Sequence, residues 1–286
     1  MKHWFTLFLL CVLISLSSCD LINPEEPIPA YIRISSIDVN SDYSLEGSNS
    51  SKVTDAWIFI DDELLGAFEL PCEIPAIYSG SHRISIGPGV MINGIANTRA
   101  TYPFYSNWDI EATMVAGQTL TLSPSVTYID SSHFAFIANF DDLSGNKLQA
   151  APGSDTIAAL TNIPSEIFEG NGSFKSTLQR DSGYVAFQMV DPVILPTDGH
   201  LVYLEMDYNI NQQLIVGSYA TFAGGTSAND LVTLNKTNGW NKIYINLTTL
   251  TSNSASAENF RLYFTAVKPA GSEPLKILID NLKIIF

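Results

Sequence analysis

The chain is predicted to be all-β: a small N-terminal β-sandwich followed by a C-terminal jelly-roll β-sandwich. Three observations carry that prediction. Short runs rich in Val, Ile, Tyr, Phe and Thr recur from residue 31 to the last residue, which is the composition of strands. No window shows an apolar stripe at helical spacing bounded by capping residues. Clusters of Gly, Asn, Ser and Asp separate the runs, as turns require.

The first element belongs to neither sandwich. Lys2 and His3 precede an apolar run, Trp4–Leu16, and small residues then lead to Cys19. A charged start, an apolar core and a small-residue exit are the parts of a secretory signal peptide, here residues 1–18. The run is about a dozen residues long, short of the ~20 needed to span a bilayer. Leu16-Ser17-Ser18-Cys19 resembles the lipobox of bacterial lipoproteins. The resemblance implies that Cys19 becomes the acylated first residue of the mature chain, carrying diacylglycerol and palmitate-like chains. Each buried methylene contributes ~0.8 kcal/mol, so two or three such chains make a stable membrane anchor.

Residues 19–30 read as an extended tether, because Pro24, Pro27 and Pro29 disfavour helix and sheet. Its acids, Asp20, Glu25 and Glu26, resemble the surface-export signals of Bacteroidetes lipoproteins. That resemblance implies display on the outer membrane; a solvated linker with incidental acids is the plainer reading.

Composition narrows the classes further. Cys11 falls in the leader, leaving Cys72 as the single thiol of the mature chain. One thiol forms no internal disulfide, so stability must come from packed cores. With Lys2 gone, 13 basic and 29 acidic residues give a net charge of −16. Such a body repels nucleic acid and anionic lipid surfaces, so no nucleic-acid partner is expected. About 256 residues follow the tether, enough for two domains with cores of their own.

The first domain is assigned to residues 31–130. Tyr31–Val39 begins with clean alternation, and Ala56–Ile60 is a continuous apolar run. Asp61-Asp62-Glu63 reads as a turn before Leu64–Phe68, and strands are expected at His82–Ile86, Trp108–Val115, Thr119–Leu122 and Ser125–Ile129. The stretch Trp57–Gly66 followed by Pro75–Gly89 resembles the PEGA-type surface β module. In it a strand, an acidic turn and a glycine precede a proline, and a Gly-x-His-x-Ile strand ends in Pro-Gly. The resemblance implies a structural or spacer role and a structural role for His82.

A polar stretch, Ile129–His133, separates this region from a second domain at residues 133–286. Nine strands are expected there: Phe134–Phe140, Ser173–Leu178, Tyr184–Met189, Leu201–Tyr208, Leu214–Phe222, Leu231–Leu234, Lys242–Leu247, Asn259–Thr265 and Leu275–Phe286. That number of short strands with polar turns fits a jelly roll. The opening Phe136–Asp142, the middle Gly239–Leu247 and the closing Ile277–Ile284 resemble galactose-binding-like jelly rolls, a superfamily that includes many carbohydrate-binding modules. The resemblance implies a glycan as partner and Trp240 as a core residue; the fold itself hosts many functions.

Candidate sites follow. Asp141, Asp142 and Asp280 sit at the two ends of the jelly roll, which the resemblance brings together; related domains hold a structural Ca²⁺ there, and hard oxygen ligands are what Ca²⁺ requires. Solvated turn acids are the alternative. Asp38, Asn40, Asp42, Ser44 and Glu46 alternate like a Ca²⁺ loop, but Tyr43 stands where glycine is needed and Asn49 where glutamate is. Sugar platforms would be Tyr184, Tyr208, Tyr219 and Phe222, with Asn209, Asn211, Gln212 and Gln213 near them. Most aromatics of a sandwich pack its core instead. Asp155-Thr156-Ile157 resembles the short O-glycosylation motif of Bacteroidetes exported proteins.

Catalysis finds little support. His82, His133 and His200 are the histidines after the leader, and none stands in a metal-ligand spacing. No nucleophile elbow, phosphate loop or dinucleotide fingerprint occurs. The expectation is a non-catalytic envelope lipoprotein that binds a glycan or another surface component. A structural subunit of an outer-membrane or surface complex comes next, and a polysaccharide hydrolase third. Mass spectrometry of the native protein is expected to find the leader removed and Cys19 acylated, and Cys19→Ser to abolish both. An intact leader on an unmodified Cys19 would refute the anchor.

Overall fold

A computed structural model describes Trp4 and residues 26–286. Cys19, and the leader apart from Trp4, lie outside the described residues. Residues 26–286 are all-β with one five-residue helix, α1 (Thr248–Ser252), where the sequence suggested none. No helix among the described residues is long and apolar enough to cross a membrane.

The first lobe holds β1 (Ala30–Ile34), β2 (Asp38–Asn40), β3 (Asp55–Ile60), β4 (Glu63–Glu69), β5 (Cys72–Ala76), β6 (Gly80–Met91), β7 (Arg99–Thr101), β8 (Trp108–Met114), β9 (Thr119–Leu122) and β10 (Ser125–Thr127). One sheet runs β4-β3-β6-β7, with β8 also on β6; facing it are β5-β1-β9 and the pair β10-β2. Period-two patterning makes the layer: Ile32 and Ile34 of β1, Ile58 and Ile60 of β3 and Ile84 and Ile86 of β6 all point into one core. The β3–β4 hairpin turns on Asp61 and Asp62, both at positive φ (51° and 67°), the backbone of a two-residue hairpin loop. Asp61 accepts from the Arg83 N–H at 3.0 Å and pairs with His82 Nδ1 at 2.7 Å. That hydrogen bond raises the His82 pKa, so His82 fastens a turn.

The second lobe is built from β11 (Phe134–Ala138), β12 (Leu148–Ala150), β13 (Ala159–Thr161), β14 (Ser173–Leu178), β15 (Gly183–Met189), β16 (Tyr203–Ile210), β17 (Leu214–Phe222), β18 (Gly225–Leu234), β19 (Asn241–Asn246), β20 (Asn259–Lys268) and β21 (Leu275–Ile285). These are eleven strands rather than nine; β12 and β13, three residues each, are too short to show a period. A six-stranded sheet, β13-β14-β21-β16-β19 with β11 also on β21, packs on a five-stranded one, β12-β15-β20-β17-β18. Phe174, Phe187, Phe264, Leu204, Ile279 and their neighbours fill the space between.

The segment between the lobes is tied at both ends. The Ile129 N–H donates to Phe104 O, and His133 and Phe286 exchange both backbone hydrogen bonds. The first lobe lies on the β21-β16-β19 part of the six-stranded sheet. On β16, Leu204, Met206 and Ile210 enter the sandwich core, whereas Tyr203 joins the first lobe's core together with Tyr244 of β19 and Ile285 of β21. Tyr102 sits edge-on to Tyr203, their ring centres 5.4 Å apart, and 4.7 Å from Tyr244.

Charge is buried in this seam. Glu205, wholly buried, accepts hydrogen bonds from the hydroxyls of Tyr102 (2.7 Å) and Tyr128 (3.0 Å) and pairs with Lys242 at 3.2 Å. Lys283 donates to Ser48 O at 2.5 Å and to the Tyr128 hydroxyl at 3.1 Å. Asp207 accepts from Ser50 Oγ at 2.8 Å and Asn281 Nδ2 at 3.0 Å. Burial opposes the charge on Glu205, but Lys242, Lys283 and the Tyr102 hydroxyl outweigh it and hold its pKa down. Burial dominates at Lys283, which falls to about 8. Removing one member of a buried ion pair strands the other, at a cost of ~3–5 kcal/mol. Glu205→Ala is therefore expected to lower stability by about that much in chemical denaturation; a loss below ~1 kcal/mol would show the seam to be dispensable.

Candidate functional site

The first lobe covers much of the six-stranded sheet's outer face, which leaves the outer face of the five-stranded sheet turned away from it. Alternation decides what that face carries. On β20, Phe260, Leu262, Phe264 and Ala266 point inward, so Arg261, Tyr263, Thr265 and Val267 point outward. The strand registers align Gln149 of β12, Gln188 of β15, Tyr263 of β20, Gly217 of β17 and Asp230 of β18 in one row across all five strands.

Gly217 makes the row work. A Cβ there would lie 2.1 Å from Tyr263 Cζ, so only glycine lets the tyrosine ring lie across the strand. The Tyr263 hydroxyl reaches over it and donates to Asp230 Oδ1 at 2.5 Å. Burial and then the Asp230 bond raise the Tyr263 pKa. Tyr219 packs on Tyr263 with ring centres 4.5 Å apart, and its register partner is Arg261. Further along the face, Tyr184 is 39% exposed beside Val267 at 65%. The result is a flat surface with two accessible tyrosines, two glutamines, an arginine and an aspartate.

Of the four aromatics singled out from the sequence, Tyr184 and Tyr219 lie on this face. Tyr208 and Phe222 do not. Tyr208 stands on β16 of the six-stranded sheet, 6% exposed and packed in the sandwich core, its hydroxyl accepting from Asn241 Nδ2 at 2.9 Å. Phe222 packs against the sandwich core at the β17–β18 hairpin. Hence the four form no single platform. Tyr263, Gln188 and Asp230 escaped the sequence reading, although the apolar alternation of β20 was a usable signal for Tyr263. Trp240, expected in the core, is instead half-buried at the sandwich edge, 5.4 Å from Phe168.

The three aspartates at the ends of the jelly roll are each engaged separately. Asp141 accepts from the Tyr43 hydroxyl at 2.6 Å and the Asn171 N–H at 2.5 Å. Asp142 accepts from Ser144 N–H and hydroxyl, at 2.9 and 2.6 Å. Asp280 accepts from Ser173 Oγ at 2.5 Å and the Asn281 N–H at 2.8 Å. Among the described residues no group of three His, Cys, Asp or Glu side chains is placed to hold a metal ion. Asp42 and Glu46 close their own turn, accepting from Ser44 and the Asp42 N–H. The Thr156 hydroxyl donates to Thr177 O. His133 packs on Phe286 and His200 pairs with Asp198, so the histidines lie apart. Cys72 is a free, half-buried thiol whose pKa burial raises.

No family model and no curated protein matches the chain. Among solved structures it is similar to a carbohydrate-binding module studied for promiscuous specificity within the β-sandwich superfamily: 13% identity and TM-score 0.42 over 80% of this chain and 84% of that one. A family 22 carbohydrate-binding module of Clostridium thermocellum Xyn10B is 14% identical, with TM-score 0.37 over 53% of this chain and 91% of the module. A family 30 module of a Clostridium thermocellum cellulosomal cellulase is 15% identical, with TM-score 0.35 over 54% and 96%.

Burial pushes the Asp280 carboxyl up to about 7. An acid whose pKa is raised by folding holds its proton more tightly in the native state. Its contribution is complete below the unfolded value of ~3.9 and is lost as pH rises through about 7. Asp280→Asn keeps the hydrogen-bonding shape without that proton. Thermal melts are expected to show the variant more stable than wild type at pH 8, by on the order of 1–3 kcal/mol, with the gap closing toward pH 4. Parallel pH profiles would refute the assignment.

Proposed function

We propose that the chain is a non-catalytic, envelope-anchored glycan-binding protein that takes an extended, neutral polysaccharide across the outer face of its five-stranded sheet. The observation that carries this reading is the row Gln149–Gln188–Tyr263–Asp230, which crosses every strand of the face turned away from the first lobe, with Tyr219 and Tyr184 beside it. Five strands at ~4.8 Å spacing give a track ~19 Å wide. Small-molecule sites are concave and enclosing; a flat track suits a polymer instead. Amide and carboxylate groups match sugar hydroxyls as donors and acceptors, and tyrosine rings offer apolar faces with a polar tip. The first lobe serves as the stiff mount that holds this face away from the anchor.

The test uses the mature chain with Cys19→Ser, applied to an array of neutral plant, fungal and bacterial polysaccharides. Binding to at least one is expected. Tyr219→Ala and Gln188→Ala should each weaken it about tenfold, equivalent to ~1.4 kcal/mol, with melting temperature held within a few degrees. A blank array from folded protein would refute the reading. Co-purification with an outer-membrane complex alongside that blank would favour an assembly subunit. Hydrolysis of a bound glycan would make the protein an enzyme.

A further inference from the structure

A cavity lies elsewhere, where the β18–β19 loop meets the turn after β6. It encloses about 500 Å³ and is lined from the first lobe by Asn93 and Gly94 and from the second by residues 233–241 and Tyr208. A smaller recess opens beside it, sharing Gly94, Tyr208, Asn241 and Ile243 and adding Lys52 from the first lobe. Both lobes therefore build it. Asn93 locks the junction: its N–H donates to Tyr244 O at 2.8 Å, and its side-chain oxygen accepts from the Asn246 N–H at 2.9 Å.

Two features of this cleft point to a ligand. The first is charge. The chain carries 29 acidic and 14 basic residues, yet no carboxylate lines the cleft or its recess, while Lys236, Lys52 and Lys242 do. Lys242 is neutralised by Glu205 and Asp207. Lys236 and Lys52 form no ion pair among the described residues; the Lys52 ammonium rests on Asn241 Oδ1 at 2.6 Å.

The second is an imbalance of donors over acceptors. The amide oxygens of Asn93, Asn235 and Asn241 are each occupied, by the Asn246 N–H, Gln213 Nε2 and the Lys52 ammonium. The amide N–H groups of Asn93 and Asn235 and both ends of the Asn238 amide have no protein partner among the described residues. Tyr208 accepts from Asn241 and has its own proton to give. What remains is a lining in which two ammonium groups and the free N–H groups of Asn93, Asn235 and Asn238 outnumber the free side-chain acceptors, among them the Asn238 amide oxygen. Its complement is an acceptor-only, negatively charged group, and a carboxylate fits. The half-buried Trp240 ring in the same wall supplies an apolar face of the kind that packs against a pyranose.

We infer that this interlobe cleft binds a carboxylate-bearing saccharide, a uronic acid unit or short uronate, with Trp240 against the sugar ring and Lys236, Lys52, Asn238 and Asn93 around its carboxylate. The volume fits a mono- or disaccharide, since ligand sites run from ~300 to ~1,000 Å³. The site is independent of the sheet face and carries the opposite charge from the protein as a whole.

Calorimetry on the mature Cys19→Ser chain would use dimers of galacturonate, glucuronate and mannuronate, the matching neutral dimers, and acetate at equal ionic strength. At least one uronate dimer is expected to bind at least tenfold tighter than its neutral counterpart, with affinity falling as salt rises. Lys236→Ala and Asn238→Ala, both exposed and outside the cores, should each weaken it about fivefold or more. Trp240→Phe should weaken it while the melting temperature holds. Absence of binding by all three uronates overturns the proposal. So does equal binding of acidic and neutral dimers, or full competition by acetate, which would mark a bare anion site. Tyr219→Ala should leave uronate binding intact and Lys236→Ala should leave neutral polysaccharide binding intact, so the two sites can fail separately.

Discussion

A buried carboxylate organises this molecule. Glu205 sits at the centre of a seam where a strand of the second lobe meets the aromatic core of the first, and it is tied to Tyr102, Tyr128 and Lys242. An uncompensated charge in such a place would cost several kcal/mol. The seam offsets that cost by charge balance: Glu205 and Asp207 face Lys242 and Lys283, tyrosine hydroxyls and the Ser48 carbonyl add hydrogen bonds, and Lys242 Nζ is held by its two carboxylates without a hydrogen bond. Balance of this kind is met in one relative placement of the lobes. Hydrophobic contact alone would tolerate sliding; short, directional bonds to charged groups do not.

That constraint decides which surfaces remain for function. Seating the first lobe on β21, β16 and β19 buries a face that an isolated sandwich would expose, and leaves the five-stranded sheet turned outward. It also brings the turn at Asn93 against the edge of β19, so the interlobe cleft exists only while the seam holds. The first lobe is thus part of the second lobe's structure rather than a bead on a string. Its resemblance to a spacer module understates what it does here.

The fold class was legible because it rests on local signals. Period-two runs such as Ile32–Ile34 and Ile84–Ile86 name their own buried face, and Asp61-Asp62 names its turn. The seam was not legible. Glu205 and Asp207 alternate with apolar residues in the run Leu201–Tyr208, a pattern that by itself marks a solvent-facing side, and nothing nearby in sequence marks their partners, which come from as far away as Tyr102 and Lys283. The sheet-face site was half legible. Tyr184 and Tyr219 could be picked as outward aromatics, but Tyr208 belongs to the six-stranded sheet and faces the sandwich core. Tyr263 depends on the absent side chain of Gly217, which only register reveals. Trp240 misled because its core position was inferred from the resemblance to galactose-binding-like jelly rolls, whereas here it is half-buried beside Phe168.

The two proposed surfaces differ in how they would discriminate, and the difference follows from where each sits in the fold. The sheet face is set by backbone register, so its donors and acceptors repeat at strand spacing along a flat track. Such a track selects polymers by conformation more than by any one functional group. The cleft is made of loop residues held by long-range contacts, with the amide oxygens of Asn93, Asn235 and Asn241 already spent and Lys52 and Lys236 in no ion pair among the described residues. That arrangement selects by charge at a single point, because an unpaired ammonium gains most from a carboxylate where water is partly excluded. In a chain with a net charge of −15, the general field repels acidic ligands from most of the surface. In the cleft no carboxylate lines the wall and Lys52 and Lys236 stand without an ion pair, so on the proposed reading one protein would sort neutral chains from acidic ends by where each can settle.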